Sequence, residues 1–235
     1  MSMPANMNKA VDVGGARPSR LGTDRWPWLL LVGGLLGFLG SLLHPMGDPT
    51  LSGDAAIAAE ISDPLWVPSH VLVLAFAALL VPGFLGLARS GVLSGAARTA
   101  ALVAFGGAIV WVGESVPHLL ASADHHALLT GQPTPFLTAH MVTAGVVYPL
   151  ATFPIAALAL LGGRRLAHPV LNVLGAIGAA AFGIAGFASY LLGSEELLDL
   201  FAGSMLFTAW VAVVGVTALV RRRRLVPQPV SPRDG

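Results

Sequence analysis

Residues 99–120 read TAALVAFGGAIVWVGESVPHLL. As a helix rising 1.5 Å per residue, this run is about 33 Å long, enough to cross the roughly 30 Å hydrocarbon core of a bilayer. It contains no Lys, Arg or Asp, and its ionisable groups are Glu114 and His118. Four positions apart, these two share one helix face, about 6 Å from each other along the axis. A barrel strand would alternate over about ten residues; this run is continuously apolar, so a helix is the spanning form it can take. One stretch therefore carries both the fold class and the first hint of chemistry.

Five further runs, 26–43, 65–88, 137–161, 170–192 and 197–220, are also long and apolar enough to span. Residues of the apolar set make up 55% of the chain and charged residues 11%, where a soluble domain carries about 25%. The mean hydropathy of +0.76 agrees. The reading is an all-α, polytopic integral membrane protein with six transmembrane helices over 26–220. A basic arm over 1–25, rich in Gly, Pro and Ser, is expected to be disordered, and 221–235 forms a basic tail. The first apolar run is long for a signal peptide and no cleavage site follows it closely, so it reads as an uncleaved span.

The arginines set the orientation. Arg89 and Arg98 lie between spans two and three, Arg164 and Arg165 between spans four and five, and Arg221, Arg222, Arg223 and Arg224 after span six. The loops after spans one, three and five hold Asp48, Asp54, Glu60, Asp63, Asp124, Glu195, Glu196 and Asp199 with no Lys or Arg. By the positive-inside rule both termini are cytoplasmic. Among 13 basic residues only Lys9 is lysine, the usage of a high-GC bacterial genome, and the expected location is a bacterial inner membrane. The arginine run after span six signals topology and offers contact with anionic lipid headgroups. In the first outer loop, a short helix is expected near 55–61, capped by Asp54, with Ile57 and Ile61 on one face. Small residues recur at helical spacing, as in Gly33 and Gly37 or Gly175, Ala179 and Gly183, and suit close helix packing.

The chain has seven histidines and no cysteine, which excludes disulfides, thiolate metal sites and iron–sulfur clusters. His44 ends span one, His70 lies near the start of span two, His118 near the end of span three, and His140 a turn into span four. His125 and His126 read as solvated loop residues, and His168 falls on the cytoplasmic side. His44 and His70 are 26 residues apart and His118 and His140 are 22 apart, a weak repeat of two hairpins. It suggests a four-helix core of spans one to four, with spans five and six at its flank.

Ionisable groups are costly in hydrocarbon, so several of them at one depth read as functional. Imidazoles with a carboxylate suit a transition metal (Zn, Cu or Fe), with His44, His70, His118, His140 and Glu114 as candidate ligands. Alternatively His70 and His140 face each other as axial ligands of haem b. Glu114 is the candidate catalytic group, as ligand, as hydrogen-bond acceptor for a ligating histidine, or as proton carrier. Two other classes stand beside a metal or haem centre. One is a proton- or cation-coupled transporter using the same residues as a relay, with Asn172 and Tyr148 as polar candidates deeper in the bundle. The other is a structural or interaction protein. Walker, Rossmann and nucleophile-elbow patterns are absent, and nothing suggests nucleic-acid binding.

Overall fold

A computed structural model describes residues 25–225 apart from Met46 and Pro49. The N-terminal arm before residue 25 and the tail from residue 226 onward lie outside the described region. Six helices long and apolar enough to span a membrane are present among the described residues. The first is α1, Trp26–Leu43, followed by a short helix, α2, Gly53–Ile61. Next come α3, Trp66–Arg89, α4, Gly95–Leu120, and the short α5, His125–Leu129. The chain continues through α6, Pro135–Gly162, α7, Pro169–Leu191, and α8, Gly203–Leu225. The apolar runs locate every span; the ends move by a few residues where Gly and Pro delimit the turns, as at Gly95 and Pro135. Span six runs from Leu197, as its apolar run does, beginning in a 3-10 segment, Glu195–Ala202, that leads into α8. Arg221–Arg224 lie in the last turn of α8, where cations complement the helix dipole.

The spans form a ring. Each packs against its neighbour in sequence, and α8 returns to pack along α1. The expected four-helix core with spans five and six at its flank is therefore replaced by closure, with α7 and α8 completing the wall between α6 and α1. Small residues explain how the seam closes. A methyl group on Gly34 of α1 would stand 2.7 Å from the Thr208 carbonyl oxygen of α8, and one on Gly215 of α8 would stand 2.5 Å from that of Pro27. The two backbones approach so closely that only hydrogen fits between them. Arg221 fastens the same end by donating to the carbonyls of Arg164 and Arg165, at 2.7 Å for the former.

Each helix turns one stripe inward. On α4 it runs through Ala97, Ala101, Ala104, Ala108, Trp111 and Glu114. On α6 it runs through His140, Ala144, Tyr148, Ala151, Ile155 and Leu158. The opposite faces, such as Val142, Val146, Leu150 and Leu160, are exposed and apolar, as lipid contact requires. Midway along the ring, Phe76, Trp111, Tyr148, Phe182 and Phe207 from five helices fill the interior, with ring centroids 4.8–6.0 Å apart in successive pairs. This aromatic layer separates the two ends of the bundle.

Asn172 has a structural task. Its amide donates to the carbonyls of Gly163 and Ala167, and its oxygen accepts from the Trp210 indole at 3.0 Å, which ties the α6–α7 turn to α8.

Replacing Gly34 by Leu should open the α1–α8 seam and cost about 1–3 kcal/mol, the usual penalty of overpacking. Thermal melts in detergent should show a lower midpoint for this variant. Gly106→Leu, at a position with open space around it, should melt like the parent.

Candidate metal centre

The ring gathers its ionisable groups at the end opposite the arginines. Here α1 and α4 end and α3 and α6 begin, so His44, His70, His118 and His140 share one depth. Two short segments roof this end. Ile61 of α2, Trp66, Ala121 and Leu137 form a small apolar cluster, joined by Ile57 and Leu128. The helix near 55–61 is thus part of this roof, starting at Gly53; Asp54 sits in its first turn without a capping hydrogen bond. Asp124, buried in the roof, accepts a 2.8 Å hydrogen bond from the Leu137 amide and so caps the start of α6. His125 and His126 begin α5 instead of a loop, and His126 is exposed. His168 precedes α7 at the far end and is exposed.

Each of the two hairpins brings its own pair of histidines together. Within the first, the His44 and His70 ring centroids are 4.8 Å apart. Within the second, His118 and His140 stack at 3.7 Å with planes 14° apart. Between hairpins, His70 Nε2 and His118 Nε2 are 2.9 Å apart. Four residues before His70, Trp66 is buried and stacks on it at 3.9 Å; four residues before His140, Phe136 is exposed.

Carbonyl oxygens only accept hydrogen bonds, and that assigns the tautomers. His70 Nδ1 donates to the Trp66 carbonyl at 2.6 Å, and His44 Nδ1 donates to the Pro45 carbonyl at 3.0 Å. Each ring therefore presents an unprotonated Nε2. His118 Nε2 then donates to His70, and its Nδ1 accepts from the Tyr148 hydroxyl at 3.1 Å. His140 Nδ1 donates to Glu114 Oε1 at 2.6 Å, and its Nε2 accepts from the Tyr190 hydroxyl at 3.3 Å. Glu114 is 3% exposed, and its other oxygen, Oε2, is buried with no hydrogen-bond partner among the described residues. Burying a carboxylate oxygen unpaired is unfavourable, so this atom marks a place where a cation, a proton or a polar ligand belongs.

Donor atoms from His44, His70 and His118 all lie within 4.8 Å of one another, as do those from Glu114, His118 and His140. His118 belongs to both sets. Enclosure increases inward: the His44 side chain is 35% exposed, that of His118 12% and that of His140 4%. At the rim, Glu60 Oε1 is 3.9 Å from His44 Nδ1. Burial pushes the Glu60 carboxyl up and the His44 imidazole down, so each favours its neutral form more than it would in water.

Two tyrosines belong to the cluster beyond the histidines and Glu114. The sequence suggests a deeper place for Tyr148, on a path across the membrane; its hydroxyl instead reaches back to His118. The available signal is its position eight residues after His140, two turns along one face. Tyr190 comes from the end of span five, and no spacing ties it to the others. No protein family, curated protein or solved structure matches this chain at a significant level.

Asp124→Ala should leave the Leu137 amide unpaired and lower stability by about 1–2 kcal/mol. Asp124→Asn, which keeps an acceptor oxygen, should recover most of the loss in the same thermal melts.

Proposed function

We propose that this protein is a multi-pass membrane protein that binds a transition-metal ion at the roofed end of its helical ring and uses it for metal-assisted chemistry. The observation that carries the proposal is the His44, His70 and His118 donor set. Two nitrogens on one tetrahedral ion with bonds of about 2.0–2.1 Å stand about 3.3 Å apart. His70 Nε2 and His118 Nε2, at 2.9 Å, are within a few tenths of an ångström of that spacing. The backbone carbonyls that hold Nδ1 of His44 and His70 are the kind of partner that orients ligating imidazoles. A nitrogen and oxygen donor set without thiolate suits Zn, Cu or Fe.

Glu114 and His140 form the neighbouring acid–base pair. Glu114 Oε2, unpaired and enclosed, can take a proton from water or substrate while His140 steadies Oε1. The metal would supply Lewis acidity or a redox couple. The exposed edge of His44 provides access from the aqueous side, which suits a hydrolytic reaction at the membrane surface.

Haem b held between His70 and His140 has less support. The His118 ring lies 4.2 Å from His70 and 3.7 Å from His140, in the space that a porphyrin plane would need. A transmembrane relay also has less support, since aromatic side chains fill the interior below the cluster and Asn172 is committed to the α6–α7 turn.

Atomic-emission analysis of the detergent-purified protein should find at least one transition-metal ion per chain, lost in His118→Ala. Metal-free wild-type protein after supplementation with Zn, Cu and Fe, or full retention in His118→Ala, would overturn the proposal.

The arginine distribution also supports a site end outside the cytoplasm and contact of Arg221–Arg224 with anionic headgroups. The chain has no cysteine, so single introduced cysteines report cleanly. Ala123 in the roof and Val92 between α3 and α4 are both exposed. A membrane-impermeant maleimide should label Ala123→Cys in intact cells and label Val92→Cys only after lysis; the reverse pattern would invert the topology.

A further inference from the structure

The Glu114, His118 and His140 set gives the proposed metal centre a second half. We propose that the centre is dinuclear and that His118 bridges its two ions as an imidazolate. This rests on the metal-binding reading above and adds a second ion to it.

The two nitrogens of His118 face two separate donor sets. Nε2 faces His70 Nε2 at 2.9 Å, on the side where His44 also lies. Nδ1 faces Glu114 Oε1 at 3.8 Å and the Tyr148 hydroxyl at 3.1 Å, and His140, which shares Glu114 Oε1, stacks on the face of the His118 ring. The spacings on the second side bracket the value of about 3.3 Å for a tetrahedral ion, with Glu114 Oε1 2.6 Å from His140 Nδ1 and 3.8 Å from His118 Nδ1. Shifts of about 0.5–0.7 Å would bring both to that tetrahedral spacing.

An independent observation also asks for a cation on this side. Glu114 is enclosed, and one of its oxygens has no partner among the described residues. Among the described residues no Lys or Arg lies at this end of the ring to neutralise it. An ion on Oε1 would neutralise the carboxylate as a whole, so that Oε2 no longer carries an uncompensated buried charge and keeps its acid–base role.

The proton balance is simple. Filling the outer half replaces the hydrogen on His118 Nε2 with a nitrogen–metal bond, and that proton leaves to solvent. His118 Nδ1, which carries no hydrogen, supplies its lone pair to the inner ion. His140 would bind the inner ion through Nδ1 as a neutral imidazole, its hydrogen passing to Nε2, where the Tyr190 hydroxyl accepts it. The carboxylate of Glu114 and the imidazolate of His118 then offset two of the four positive charges of two divalent ions, a net change that an enclosed site favours over bare ions.

Copper(II) titration of the metal-free full-length protein in detergent, followed by electron paramagnetic resonance, tests the idea. Wild type should bind about two ions per chain, and the signal should fall as the second ion enters, because an imidazolate couples the two spins. His70→Ala and His140→Ala should each bind about one ion with a full isolated signal, while far-ultraviolet circular dichroism confirms that both remain helical. One ion per wild-type chain would overturn the second site and leave the metal centre standing. Two ions with additive signals would overturn the bridge. No bound copper would overturn both readings.

Discussion

A carboxyl group cannot sit inside a bilayer-spanning ring without partners. Glu114 is that group, and the arrangement around it follows from its enclosure. His140 reaches it from the next span, at 2.6 Å. His118, one turn further along the same helix, stacks on His140 and passes hydrogen bonds outward to His70. The helices carrying these groups are thereby locked in rotation, because turning any one of them toward lipid would strand a polar group in hydrocarbon. The inward stripe of α4 makes this possible: Ala97, Ala101 and Ala104 let that helix pack closely at one end, and Glu114 sits at the other.

The aromatic layer and the roof play complementary parts. Below the cluster, Phe76, Trp111, Phe182 and Phe207 exclude water and keep the local dielectric low, which strengthens every hydrogen bond in the cluster. Above it, α2 and α5 bury Trp66 and Leu137 and hold the starts of α3 and α6, the helices that carry His70 and His140. The His44 side chain, 35% exposed, is where the cluster meets solvent.

The ring also explains why the last two spans matter without histidines of their own. Helices α7 and α8 close the wall, supply Phe182 and Phe207 to the aromatic layer, and bring Tyr190 to His140. Gly34 and Gly215 make the α1–α8 seam as close as backbones allow. The hairpin repeat remains visible inside this frame, since each hairpin pairs its own two histidines, yet closure of the ring depends on helices outside the repeat.

The amino-acid sequence by itself determined the class, the six spans and the depth of the candidate site. Those follow from length against bilayer thickness and from which residues hydrocarbon rejects, both of which act locally along the chain. It also placed Glu114 and His118 on one face, because a helix relates positions four apart. The tertiary structure alone decided how the helices rotate, which carboxylate meets which imidazole, and that the spans close into a ring instead of leaving two at the side. It moved Tyr148 into the cluster, gave Asn172 a structural task, and brought in Tyr190. Those outcomes rest on close contacts between residues far apart in sequence, such as Gly34 with Thr208 or Glu114 with His140, and no periodicity within a single helix encodes its neighbour.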